Sequence, residues 1–425
     1  MLTSVVGINW GDEGKGRMVD LLSCDYEIVV RYQGGNNAGH TVVCGGKKFV
    51  MNLLPSGILR NETVNILGPG MVIDLEHLNR EIEAIEKAGI RITPEHLVLS
   101  SRATICLPFH SMLDGLEEDR LGSKKFGSTR RGISPAYADK YMKKSLRMAD
   151  LFYPGTLENK VRELTEWKNL TIEKGYGSEA VDTESILRWL DRFGKPLVPY
   201  IKDTTVFLRQ ASEAGKSVLF EAQLGALRDI DFGIYPYTSA SSTLAAYAPI
   251  GAGIPFARPD QVIGIMKAYS SCVGEGPFTV ELFGKESDRL REAGAEYGAA
   301  TGRPRRVGAF DAVASRYGVQ MQGCNCIALT KLDILSYLDK IPVCTAYEIN
   351  GNRTEQFPAS IEELFAAKPV YEYFPGFCTD IGSCRTYRAL PKEAQEYIRV
   401  LEELVSCRIR YVSVGAERDA CIKIV

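Results

Sequence analysis

Short runs of β-branched and aliphatic residues alternate along this chain with glycine-rich turns and amphipathic stretches. That rhythm predicts strands and helices of the α/β class. The first run ends at Val5 and Val6 and leads into a turn carrying Gly11, Gly14 and Gly16; Lys15, Met18, Val19, Leu21 and Leu22 then predict a short helix. Residues 26–32 (YEIVVRY) read as a strand, followed at once by a polar loop over 33–40, and 41–51 read as a hairpin turning at Gly45 and Gly46. Asp74 is placed to cap a helix whose apolar face is Leu75, Leu78, Ile82 and Ile85 and which stops at Gly89. Strand-like runs follow at 97–100 and 103–107, then a further helix and a helix-rich region over about 156–215. The remaining strands are expected at 217–222, 261–270, 326–333 and 408–414, and helices at 308–322 and 392–406. No internal repeat, low-complexity stretch or linker interrupts the pattern. It therefore predicts a single domain over 1–425, with a helical and basic-loop insertion over about 100–215.

Composition narrows the class. A hydrophobic fraction of 45% in 425 residues supports a sizeable core, and a net charge of −2 argues against sequence-independent binding to nucleic acid. No leader-like segment and no run of membrane-spanning length is visible, so a cytoplasmic location with no membrane partner is expected. The eleven cysteines are scattered; only Cys324 and Cys326 are close, and His40, His77, His96 and His110 offer no matching zinc set. Reduced thiols are the expectation.

Candidate chemistry begins at the first turn. Strand, glycine loop and helix aim backbone N–H groups at a phosphate, and Lys15 adds a point charge. The loop departs from the ordinary phosphate loop twice: Asn9 stands where the first glycine belongs, and Gly16 replaces the magnesium-binding Ser/Thr. It also carries Asp12 and Glu13, and carboxylates facing phosphates repel them unless a cation intervenes or a proton is taken up. A plain glycine turn is the alternative. In the loop 33–40, Asn36 and Asn37 bring amide groups, Gly34, Gly35 and Gly39 permit unusual backbone, and His40 is read as catalytic rather than structural. Residues 122–147 concentrate Lys and Arg against one acid, Asp139. Both a solvated loop and an anion-binding loop for a nucleotide monophosphate, through Ser128, Thr129 and Arg131, remain open. Arg303, Arg305 and Arg306 form a second basic group, either a surface patch or forks for carboxylate or phosphate. Asp333, ending the TKLD segment at 330–333, can accept both the N1–H and the exocyclic amino group of guanine, with the Lys331 stem over the base.

Taken together, WGDEGKGRMVD over 10–20, GGNNAGHT over 34–41, TGR over 301–303, TKLD over 330–333 and SVG over 413–415 resemble adenylosuccinate synthetase from end to end and in order. The resemblance implies a large, mostly parallel central sheet flanked by helices, with a nucleotide site like a phosphate loop. It implies ligation of L-aspartate to IMP with GTP and Mg²⁺, through a 6-phosphoryl intermediate, in a homodimer whose subunits complete each other's sites. On this resemblance Asp12 and His40 are catalytic, and Asp12 and the Gly39 carbonyl bind the metal. GTP meets Gly11, Asp12, Glu13, Gly14, Lys15, Gly16, Arg17, Gly39, His40, Thr41 and Arg305 on its phosphate side. Its base meets Lys331, Leu332, Asp333, Ser413, Val414 and Gly415. IMP meets the loop from Asp12 to Lys15, then Asn37, Ala38, Gly39, His40, Thr129, Lys143, Gln223, Ser239 and Arg303. Aspartate is held by Ala299, Ala300, Thr301, Gly302, Arg303 and Arg305. The chain departs from the family pattern on the monophosphate side: GSTRRG stands at 127–132, Gln223 is one place early, Lys143 replaces the cross-subunit arginine, Cys272 another arginine, and Ser239 a threonine. Beyond the base segment, Ala416 replaces a proline. Two other readings follow from these features: the same two-step chemistry on a modified purine monophosphate or another amino acid, and a non-catalytic GTP-binding switch.

Overall fold

The computed structural model describes residues 1–44, 47–298 and 302–424. Its centre is a ten-stranded sheet. Leu2–Gly7 lies in the middle, paired in parallel with Val218–Glu221 on one side and Gln261–Lys267 on the other. Beyond Val218–Glu221 the order runs Ile28–Arg31, Val64–Leu67, Leu97–Ser100 and Ile201–Lys202. Beyond Gln261–Lys267 come Cys326–Thr330, Ile409–Ser413 and Cys421–Lys423. Only the last pair is antiparallel among the described residues of this sheet. The chain leaves Leu2–Gly7 for strands on one side early in the sequence and returns to the other side late. This makes the carboxyl end of that strand the topological switch point where α/β sheets place their ligands. The expected large, mostly parallel sheet is what forms.

Burial explains the continuous apolar runs. Val5, Val6, Val29, Val30, Leu219 and Ile263 are at most 1% exposed, because helices cover both faces of a parallel sheet. Helix Leu75–Lys87 starts at Asp74, which accepts from the His77 N–H, and buries Leu75, Leu78, Ile82 and Ile85 as the periodicity requires. Between Leu97–Ser100 and Val218–Glu221 the chain adds helices Pro108–Leu121, Ile133–Met142, Pro154–Asn169, Thr183–Gly194 and Thr204–Glu213.

Three readings need correction. Residues 122–147 are not all loop: Ile133, Ala136 and Tyr137 provide an apolar face that folds Ile133–Met142 as a helix. The helix expected from 308 starts at Ala312, because Asp311 caps it after a short strand, Phe310–Asp311. A four-stranded second sheet, built on Lys340–Ile349 with Phe310–Asp311, Asn352–Thr354 and Lys368–Pro375, was not anticipated. The hairpin pairs His40–Cys44 with Lys47–Met51 as expected, and its turn at Gly45 and Gly46 lies outside the described residues. No helix among the described residues is long and apolar enough to cross a membrane.

Candidate active site

The loop after Leu2–Gly7 is held from inside. Gly11, Asp12 and Gly14 all take left-handed backbone, with φ of 108°, 59° and 96°. Two of them are glycines, and Asp12 pays strain that other contacts must support. Of the two loop carboxylates only Asp12 opens to the cleft. Glu13 turns inward, accepting the Asn9 and Gly11 N–H groups at 3.1 and 2.7 Å and the Lys15 ammonium at 2.7 Å. Both side chains of the Glu13–Lys15 pair are 3% exposed. Helix Lys15–Leu22 then begins without a side-chain cap, leaving its first N–H groups for an anion. Thr330 Oγ1 donates to the Glu13 carbonyl at 2.6 Å, tying the end of Cys326–Thr330 to this loop.

Gly16 now has a physical reason. A Cβ there would lie 2.7 Å from the His40 Cβ, so the Ser/Thr of an ordinary phosphate loop is replaced to admit a histidine against the helix. His40 shares a short hydrogen bond through Nδ1 with Glu221, a carboxylate that also accepts the Ser56 N–H at 2.8 Å and hydroxyl at 2.7 Å. Burial opposes ionisation of Glu221, but His40, Arg31 and Ser56 outweigh it and hold its pKa below the usual value. Burial lowers the His40 pKa, against the pull of Glu221. The pair therefore rests as a carboxylate and a neutral imidazole, with the proton on Nδ1 and Nε2 turned away from Glu221.

Opposite this pair, Arg305 stands between two acids. Its Nε lies 3.3 Å from Asp12, in ion-pair range without hydrogen-bond alignment, and its Nη1 donates to Glu296 at 2.7 Å. Lys331 also reaches Glu296, at 3.0 Å, and the Gly294 carbonyl. Asp333 lines a cavity of about 630 Å³ with Ser336, Asp380, Val414 and Gly415. Burial raises its pKa. Arg17 braces the wall of that cavity: it donates to Ser413 Oγ and to the carbonyls of Glu417 and Ala420.

The monophosphate-side residues are placed differently. Ser128 gives its hydroxyl to Asp114 at 2.6 Å, while Thr129 and Arg131 sit at or near the surface. Lys143 is exposed just past helix Ile133–Met142. Gln223 is fully buried, donating to the Gly35 carbonyl at 2.6 Å, with Oε1 unpartnered. Ser239 is nearly buried beside Ser241. Cys272 is buried against the Arg228 guanidinium, which also bonds the Val273 and Tyr237 carbonyls. Asn37, Ala38 and Gly39 are half-buried before His40, and Thr41 pairs with Val50. Gly302 and Arg303 are exposed, whereas Ala299, Ala300 and Thr301 lie outside the described residues. Among the described residues no three His, Cys, Asp or Glu side chains form a metal cluster. Asp12 is the loop carboxylate open to the cleft, a hard oxygen donor of the kind that suits an ion also taking phosphate oxygens.

Glu221, Lys267 and Glu296 escaped the sequence reading. For two of them the signal was available: Glu221 and Lys267 end apolar strands, and a charge buried beside a strand needs a partner. Glu296 follows a polar helix and carries no such local signal.

An adenylosuccinate synthetase family description matches residues 4–422. The chain is 44% identical over 420 residues to the adenylosuccinate synthetase of Clostridium kluyveri, covering 99% of this chain and 98% of that one. It is 44% identical over 421 residues to that of Caldanaerobacter subterraneus subsp. tengcongensis, with 99% and 98% covered. A fully ligated adenylosuccinate synthetase from Plasmodium falciparum superimposes with a TM-score of 0.94 at 34% identity, covering 100% of this chain and 99% of that one.

Proposed function

The chain belongs to the adenylosuccinate synthetase family, and from that premise and the geometry above we infer how its residues divide the work. The reaction is GTP-dependent ligation of L-aspartate to IMP in purine biosynthesis. The purine O6 is a poor leaving group, so it is first made a phosphate ester. Asp12 takes the N1 proton, O6 attacks the γ-phosphorus and GDP leaves. The amine of L-aspartate then adds at C6 and phosphate departs. What carries this reading is Asp12: a carboxylate open to the cleft, on strained backbone, at the mouth of a helix N-terminus.

Arg305 balances Asp12, and phosphate oxygens entering the cleft compete for the same guanidinium, which frees Asp12 as a base. Negative charge at the helix N-terminus draws a second proton onto His40 at Nε2, and the imidazolium then donates to the transferred phosphoryl oxygens. Glu221 holds that ring in place. Asp12 and the Gly39 carbonyl would hold Mg²⁺, which when bound neutralises charge between carboxylate and phosphates. Asp333 selects guanine within the cavity it lines. Arg303 and Arg305 clamp the aspartate carboxylates. Lys143, exposed past helix Ile133–Met142, is assigned on the family resemblance to the neighbouring site of a homodimer.

The test is phosphate release from GTP with Mg²⁺, omitting IMP and L-aspartate in turn, for the wild type and Asp12→Ala. Release that needs both partners and disappears in the variant supports the assignment. Release indifferent to IMP overturns the substrate pairing and directs attention to other purine monophosphates. Full turnover by Asp12→Ala removes Asp12 as the base.

A further inference from the structure

Glu296 has no role in the scheme above, yet it is fully buried and accepts from four side chains. Its Oε1 accepts from Lys267 at 2.8 Å, Tyr269 at 2.5 Å and Lys331 at 3.0 Å, and its Oε2 accepts from Arg305 at 2.7 Å. These donors come from three places: the end of Gln261–Lys267, the end of Cys326–Thr330, and the far side of the loop 298–305. Glu296 itself stands at the root of that loop. Its carbonyl accepts the Arg305 N–H at 2.9 Å, and Tyr297 bridges Pro304 just above. Ala295, beside it, is held at φ 48°, a strained conformation for alanine that the surrounding bonds must fix.

Lys267, Lys331 and Arg305 surround Glu296, with Asp12 also facing Arg305 and Asp333 also facing Lys331. A neutral group at 296 would leave the cations repelling one another in a dry setting, and Lys331 and Arg305, more exposed than Lys267, are the two that reach the cleft. They serve opposite ends of the cleft.

We propose that Glu296 is a positioning residue that couples the guanine end of the site to its aspartate end, by fixing Lys331 and Arg305 on one carboxylate. The proposal rests on the reading that Lys331 meets the base and Arg305 the aspartate and phosphates. Guanine docking under Lys331 then steadies Arg305, and by reciprocity L-aspartate tightens GTP.

Two variants test it. Glu296→Gln keeps the shape and loses the charge. The KM values for GTP and L-aspartate should rise together, each about tenfold, while that for IMP stays within roughly twofold. A purely structural staple would instead lower thermal stability and move all three KM values alike, which overturns the proposal. Lys331→Met covers the case in which Glu296→Gln does not fold, since the Lys331 side chain is 32% exposed. The KM for L-aspartate should rise with that for GTP, although Lys331 lies on the base side. A rise for GTP alone overturns the coupling and leaves the guanine assignment standing. No rise for GTP overturns the guanine assignment itself, and the coupling with it.

Discussion

Two glycine-rich loops with basic side chains, 9–16 and 122–132, look alike in composition and are built in opposite ways. The first is closed from within: Glu13 accepts two N–H groups of its own loop and a buried lysine two residues on. The second is laced to another element. Asp114 of helix Pro108–Leu121 accepts the Ser128 hydroxyl and the Gly132 N–H at 2.6 and 2.9 Å. Glu118 of the same helix accepts the Phe126 and Gly127 N–H groups, both at 3.1 Å. A self-contained loop presents a finished cradle to a phosphate. A laced loop has given its backbone donors to carboxylates and can meet an anion only through outward side chains such as Thr129 and Arg131. Glycine and positive charge in a sequence therefore do not identify an anion site; what decides is whether N–H groups are left over, as at the uncapped start of helix Lys15–Leu22.

The largest effect should come from breaking the self-contained loop. Glu13→Gln leaves the buried Lys15 ammonium without its counter-charge. Removing one partner of a buried pair costs about 3–5 kcal/mol. Urea denaturation should show that loss together with loss of turnover. Asp12→Asn, one residue away on the open side, should abolish turnover with little change in the unfolding midpoint. A Glu13→Gln cost below about 1 kcal/mol, the range of an exposed pair, would mean the loop is not held from within.

Next in size is the dyad behind the first loop. Glu221 raises the His40 pKa against burial, so Glu221→Gln should lower it further and make the imidazolium harder to form. Turnover should fall on the order of a hundredfold at neutral pH, and the alkaline limb of the kcat profile should move to lower pH. Stability follows the same signs. His40 and Glu221 both have folded pKa values below their ordinary 6.5 and 4.5, so the unfolded chain binds more protons. Stability is thus lost on acidification, first as pH falls below 6.5 and again below 4.5. In Glu221→Gln the second loss should shrink. An unshifted kcat profile would show that His40 does not act as an acid.

The same contrast explains what could be read from the chain alone. The first loop was legible because its determinants are local: glycines, Asp12, Lys15 and the missing Ser/Thr lie within a few residues. His40 stood out for the same reason. Glu221 did not, because it closes an apolar strand and reaches His40, 181 residues away in sequence at the start of a separate hairpin, only in the folded chain. Glu296 is more distant still from its meaning, since four donors converge on it from separate segments. The second sheet was missed because Lys340–Ile349 is exposed at both ends and buried in the middle, a pattern without clean alternation. Helix Ile133–Met142 was hidden by the basic residues around it, although Ile133, Ala136 and Tyr137 carry its apolar face.

The smallest effects belong to the second loop and discriminate most finely. Asp114→Asn weakens a charged acceptor that holds Ser128 and Gly132, and the loop bearing Thr129 should drift. The KM for IMP should rise about fivefold, the size of a lost hydrogen bond of roughly 1 kcal/mol, with that for GTP unchanged. Arg130→Ala removes only an ion pair with Asp119 at the surface, where solvent screens both charges. Neither the melting temperature nor any KM should move measurably. If Arg130→Ala raises the KM for IMP more than Asp114→Asn does, the outward side chains rather than the lacing define the pocket. The basic character of 122–147 would then be recognition of the monophosphate and not solvation.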